Sequence, residues 1–201
     1  MPNTLIAIAA LSLATKVLLF SGMSKKKKSK GKSEDVSMGS DLSAINMGAE
    51  IIAEFEGFRS DPYIDSAGVA TVGYGTTVYP DGSPVTMQDP GVSHEEALSF
   101  MALFIEEKII PNVSKIPIWT SMNDGQKAAL ISFAYNLGPG FFGRSGFETI
   151  TKALNSPSWE EDTPEAMLIY NRAGGQFMRG LMRRREFEAE VWRSGGLPGV
   201  S

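Results

Sequence analysis

The strongest constraint on what this chain can fold into is a change of texture near residue 41. Residues 4–22, TLIAIAALSLATKVLLFSG, are apolar apart from Lys16, and residues 23–41 read MSKKKKSKGKSEDVSMGSD. A stretch of lysine, serine and glycine cannot bury enough apolar surface to offset the entropy of ordering it, so a basic flexible linker is expected there. A folded body must then come from residues 42–195, with residues 196–201 as a short tail. Segment 1–22 stands apart from it. The apolar run is close to the ~20 residues that span a bilayer as a helix. No basic residue precedes it and no clear cleavage pattern comes after it, so a membrane anchor or an uncleaved signal-like segment is expected. The six lysines between Lys25 and Lys32 would attract anionic lipid headgroups or an anionic polymer. They would also hold the folded body on the cytoplasmic side, which leaves the orientation open.

Charge divides at the same place. Residues 1–40 carry a balance of +5 and residues 41–201 one of −9. The acidic body lacks the basic footprint that nucleic acid requires, so no nucleic-acid partner is expected. With 42% apolar and 21% charged residues, the composition is that of a globular protein. The absence of cysteine excludes disulfides, thiolate nucleophiles and cysteine-based metal sites. The single histidine, His94, speaks against a histidine-rich metal site or a Ser-His-Asp triad; within VSHEEAL it reads as a surface helix start.

Along the body, LSAINMGAEIIAEFEGF places Ile45, Ile51, Ile52 and Phe55 at helical spacing, and Gly57 is a plausible stop. Residues 69–79, VATVGYGTTVY, are rich in β-branched and aromatic residues, and Asp81-Gly82 signals a turn, which predicts a short antiparallel hairpin. Ser93 with Glu96 forms a capping box opening a helix to about Ile110, and Asn123 with Gln126 a second, opening a helix that Gly138 ends. GFETITKAL gives a shorter helix. Thr163-Pro164 pairs a cap residue with proline at a first helical position, predicting a helix start there. A last helix is expected from about Leu181 to Trp192. Phe133, Phe141, Phe142 and Phe147 read as core. One small sheet near the start followed by helices makes an α+β domain.

Within EGFRSDPYIDSAGVATVGYGTT, two carboxylates and a hydroxyl lie close together. Glu56 falls in the last turn of the first helix, where the carbonyl ends disfavour negative charge. It is therefore expected to hold its proton to higher pH than a free glutamate, as a general acid must. Asp65 lies in the polar turn DSAG and should stay ionised. Two carboxyl groups pushed apart by their surroundings suit glycoside hydrolysis. Thr71 opens the strand and would hold a water or a sugar hydroxyl. Each has a plainer reading: Asp65 as a turn former, Glu56 as a surface or ion-pairing residue, Thr71 as an ordinary strand residue.

The order of the three is more telling than any one of them. Glu56, eight residues, Asp65, five residues and Thr71 resemble the Glu-x8-(Asp/Cys)-x5-Thr signature of phage-type lysozymes, the endolysins of glycoside hydrolase family 24. QKAALISFAYNLGPGFF is similar to that family's central helix, and IYNRAGGQFMRGLMRRREFEAEVW resembles its C-terminal helix. The likeness covers residues 45–193. It implies a lysozyme-like fold and hydrolysis of the β-1,4 bond between N-acetylmuramic acid and N-acetylglucosamine in peptidoglycan, with degradation of the wall and host lysis. It further implies that Glu56 protonates the leaving oxygen, Asp65 activates or stabilises from the other side, and Thr71 positions the attacking water. No metal or organic cofactor is expected. The family often has His after GYG, where this chain has Thr76, so a substrate contact there is in question.

Around this set, Gly73 and Gly75 would let a sugar approach the strand backbone, unless they serve a tight sheet. Asn136 would offer its amide to an acetamido group, unless it is a helix cap. Arg184 or Arg185 would pair with a carboxylate at the cleft and partly offset the helix-end effect on Glu56, although arginines on a terminal helix are usually solvated. A monomer in the host envelope is expected, associated with the inner membrane through residues 4–22 or carried in the virion. Two alternatives stand beside it. A lytic transglycosylase would need the acid but not Asp65 or Thr71, and a wall-binding or virion structural protein would need none of the three.

Overall fold

The structure is a computed structural model that describes residues 41–199. The expected membrane segment 1–22 and the lysine run Lys25–Lys32 lie outside the described residues, as do residues 200 and 201. Among the described residues no helix is long and apolar enough to cross a membrane.

Helix α1, Leu42–Glu56, buries Ala44, Ile45, Gly48, Ala49, Ile51 and Ile52 along one face and ends at Gly57, whose φ of 74° favours glycine. Its start is pinned by Asp41, which accepts from Lys127 Nζ at 2.7 Å and from Trp119 Nε1 at 3.2 Å. Strands β1, Arg59–Ile64, and β2, Ala70–Gly73, form the expected antiparallel hairpin, with Tyr63 opposite Thr71 and Ile64 opposite Ala70. Helix α2, His94–Phe104, opens on the expected Ser93–Glu96 capping box. It runs through a π-turn at Ile105–Ile109 into α3, Ile110–Val113. The wider turn, in which the Ile110 N–H reaches back to Ile105 O, comes just before Pro111, which has no N–H to continue the ordinary ladder.

Helix α4, Asp124–Leu137, opens on the Asn123–Gln126 capping box and ends at Gly138. Residues 125–135 are buried without interruption, so this helix is the core around which the others pack. A Cβ on Gly48 would come within 2.7 Å of Ile131 Cγ2, so α1 lies very close against it. Helix α5 is Glu148–Leu154, and Phe133 and Phe141 are fully buried while Phe142 and Phe147 pack against the core from its edge.

Helix α6 corrects the sequence reading. It spans Trp159–Leu168, and Pro164 lies inside it instead of opening it. Proline there leaves the carbonyl of Glu160 without its helical donor. The indole Nε1–H of Trp192 donates to that carbonyl at 2.8 Å, so the final helix fills the gap. A second two-stranded hairpin, β3 at Arg172–Ala173 and β4 at Gln176–Phe177, was not expected from the sequence. It leads into helix α7, Arg179–Ser194, which extends two residues past the expected span at each end and stops at Gly195. The helices and two small hairpins make the α+β lysozyme-like arrangement expected.

Candidate active site

Helix α1 delivers Glu56 at its last position, and packing against α4 and α7 takes the carboxylate out of solvent. Its side chain is 4% exposed, and Arg184 Nη1 donates to its Oε1 at 3.1 Å. The arginine's positive charge opposes the repulsion between a carboxylate and the helix's carbonyl end. Arg184 is therefore not solvated: its guanidinium lies 5.4 Å from the Phe55 ring and 5.8 Å from that of Tyr135.

Asp65 sits in the turn between β1 and β2. Its Oδ1 accepts from the backbone N–H of Ala67 at 2.8 Å and of Val69 at 2.9 Å, which is the turn-forming role. Its Oδ2 is buried and has no protein partner. One oxygen thus builds the loop and the other is left over. Thr71 is fully buried, and its hydroxyl donates to Val69 O at 3.0 Å, leaving its lone pairs as acceptors.

Tyr63, across the sheet from Thr71, connects the two carboxylates. Burial pushes its phenol up, Arg59 opposes this, and the charges of Asp65 and Glu56 add to it. One phenol feels both. Tyr135, fully buried on α4, is pushed well above the ordinary range by burial and then by the charge of Glu56. Both tyrosines stay neutral hydrogen-bonding groups at physiological pH. Neither was proposed as a site residue from the sequence, where Tyr63 figures only as an aromatic that could shield Glu56 from solvent; its place two residues before Asp65 was the available signal.

The remaining candidates divide. Arg185 is fully buried and does not reach Glu56; it donates from Nη2 to Asn136 Oδ1 at 3.0 Å and to Glu188 Oε1 at 3.1 Å. Burial lowers its guanidinium to about 10, with Glu188 opposing the shift and Arg184 adding to it, so it remains charged at neutral pH. Asn136 thus spends its oxygen on Arg185 and keeps its amide hydrogens. Gly73 has φ 65°, and a Cβ there would fall 2.8 Å from Ala97 Cβ, so its bareness serves close packing on α2. Gly75, at φ 103°, lies in a tight turn in which Val72 and Thr76 exchange backbone hydrogen bonds, at 2.9 Å each. Beside it Tyr74 Oη is 2.8 Å from His94 Nδ1, and the imidazole stacks on Phe58 with centroids 3.6 Å apart. The histidine does open a helix, as read, and also ties α2 to the hairpin.

A family model described as phage lysozyme matches residues 53–188, a span that holds every one of these candidate residues. The chain belongs to the phage lysozyme family. It is 31% identical over 156 residues to the endolysin of Bacillus phage B103, covering 77% of this chain and 55% of that one, so it spans just over half of that relative. It is 31% identical over 169 residues to the SAR-endolysin of Bacteriophage PS119, covering 75% and 90% of the two chains. Among solved structures, the endolysin from Escherichia coli O157:H7 phage FAHEc1 superposes with a TM-score of 0.60 at 30% identity, covering 76% of this chain and 94% of that one. The resemblance drawn from the Glu56, Asp65 and Thr71 spacing and the expected fold class both hold. As a phage lysozyme, the chain is a glycoside hydrolase of peptidoglycan.

Proposed function

We propose that this lysozyme cleaves the β-1,4 bond between N-acetylmuramic acid and N-acetylglucosamine with Glu56 as general acid and Asp65 as the opposing carboxylate, Thr71 helping to hold the attacking water. The observation that carries this reading is the contrast between the two carboxylates. Glu56 is withdrawn from solvent and paired with Arg184, whereas Asp65 keeps one oxygen uncommitted. On proton transfer to the leaving oxygen Glu56 becomes a carboxylate, and Arg184 is in hydrogen-bond reach to stabilise that charge. Asp65 Oδ2 is free to accept from a water or to face the positive charge that builds on the sugar. The amide hydrogens of Asn136 remain available to an acetamido carbonyl.

Glu56→Gln keeps the shape and removes the transferable proton. Its rate on purified cell walls is expected to fall by about 10²-fold or more while circular dichroism still reads a folded protein; a wild-type rate overturns the assignment. Hydrolysis leaves reducing ends with one added water, and mass spectrometry of the muropeptides reads this directly. Anhydro ends would assign a transglycosylase instead.

The finer localisation rests on the sequence: residues 4–22 associate the chain with the inner membrane, the lysine run lies against anionic headgroups, and the chain acts in the host envelope as a monomer. Fractionating cells that express the full chain beside a version beginning at Met23 tests the anchor. Equal partitioning into the soluble fraction overturns it, and size-exclusion of the shorter version reads the monomer.

A further inference from the structure

We infer that Glu188 is a positioning residue for the reaction: a buried carboxylate that aims Arg184 at Glu56 and balances the charge around that pair. The inference rests on the assignment of Glu56 as the acid. Glu188 lies on α7, one turn beyond Arg184, and is fully buried. Its Oε1 is a hub, receiving the Ser132 hydroxyl at 2.6 Å, Arg184 Nε at 3.2 Å and Arg185 Nη2 at 3.1 Å. Its Oε2 lies 2.9 Å from Arg185 Nε. Ser132 on α4 closes the circuit by accepting from Arg184 Nη2 at 3.2 Å.

The consequence comes from the shape of a guanidinium. Its nitrogens are coplanar, so fixing Nε and Nη2 fixes the direction of Nη1. Nε is held by Glu188 and Nη2 by Ser132, and Nη1 is the nitrogen that meets Glu56 at 3.1 Å. A buried network of this kind costs desolvation, and a hydrophobic cluster would fill the space with less penalty. What the charges supply is a fixed donor at the acid.

Charge balance gives the second half. The groups facing Glu56 include Arg184 from α7, Tyr135 from α4, and Tyr63 from β1, with Arg59 and Asp65 beyond Tyr63. Those facing Glu188 are Arg184 and Arg185 on its own helix and the neutral Ser132 on α4, with Asn136 on Arg185's far side. The inner four, Glu56, Arg184, Arg185 and Glu188, sum to zero once Glu56 has given up its proton, so the network balances the charge that the acid acquires on transfer. Removing the Glu188 charge leaves two buried arginines facing one carboxylate, an excess of positive charge at the site that should displace the pH profile of the reaction.

The test is the pH profile of kcat/KM on purified peptidoglycan for wild type, Glu188→Gln and Glu188→Asp, with melting curves on each. For Glu188→Gln the alkaline limb is expected to move to lower pH by about one unit, and the rate at neutral pH to fall about tenfold. Glu188→Asp keeps the charge but draws the carboxylate back, so its limb should stay in place while its rate falls several-fold. A merely structural role would change the melting temperature and leave the limb where it is. An unmoved limb in Glu188→Gln overturns the inference. If that variant does not fold, a Glu188→Asp rate equal to wild type overturns it. Should Glu56→Gln prove fully active, the assignment of the acid has failed; should it be inactive while Glu188→Gln matches wild type at every pH, only this inference has.

Discussion

Asp65 and Val69 hold each other twice across the turn between the two strands: the Asp65 N–H donates to Val69 O, and the Val69 N–H donates to Asp65 Oδ1, both at 2.9 Å. Val69 O also receives the Thr71 hydroxyl, at 3.0 Å. One residue thus ties the second carboxylate to the threonine, which explains why their spacing along the chain is short and fixed. An asparagine can accept the same two amides through its oxygen while losing the charge. Asp65→Asn is therefore expected to melt within about 3 °C of wild type. Its rate on purified walls should fall by about 10²-fold or more. A turbidity assay beside a thermal melt checks both.

Gly73 meets α2 with no room for a side chain. Gly73→Ala must place an L residue at φ 65° and a methyl 2.8 Å from Ala97 Cβ, at a cost of about 2–4 kcal/mol. Replacing Ala97 with glycine as well relieves the clash but not the dihedral. Urea denaturation of the two single variants and the double should show a favourable coupling of about 1 kcal/mol or more; additive losses would show that the clash is absent.

Trp192 and Pro164 are coupled through the carbonyl of Glu160. Trp192→Phe removes the only hydrogen-bond donor described for that oxygen, with an expected loss of about 1–3 kcal/mol. In a Pro164→Ala background the new amide supplies the helical hydrogen bond, and the same tryptophan substitution should cost measurably less. Equal losses in the two backgrounds would contradict the shared carbonyl.

Acid stability has a definite sign. Glu96 is held below the ordinary carboxylate range first by the Ser93 N–H and then by its hydroxyl. Glu148 is lowered by the Gly146 N–H, and Asp89 and Asp81 by Thr86 and Ser83. In each the folded value lies below the unfolded one, so the stabilisation is complete above the unfolded value and is lost as pH falls through the folded value. The melting temperature should decline from about pH 5 downwards. In Glu96→Gln, which keeps the acceptor and cannot titrate, the decline should be shallower. Melting curves for both proteins at matched ionic strength check this.

How much of the site was legible depends on how local its chemistry is. The capping boxes at Ser93 and Asn123, the glycine after Glu56 and the turn at Asp65 are all satisfied within a few residues, and the sequence displays them directly. Glu56, Asp65 and Thr71 could be picked out because their spacing resembles the phage lysozyme signature, a compact pattern since they lie on one helix end and the hairpin next to it in the chain. Pro164 misled because a proline at a first helical position and one inside a helix look alike locally; the indole that tolerates the second lies 28 residues further along the chain.

The sequence by itself determined most of the helices and the first hairpin, the acidic body behind a basic run, and the spacing of the three signature residues, because helix caps, turns and periodic apolar faces act over short stretches of chain; it did not show the β3–β4 hairpin or the start of α6. Only the tertiary structure decided that Arg184 meets Glu56 while Arg185 turns to Asn136, and that Glu188 lies buried between them. Neighbouring arginines on one helix are alike in sequence. They diverge here because adjacent side chains leave a helix about 100° apart, and what each one faces is set by how α7 packs across α4 and the end of α1.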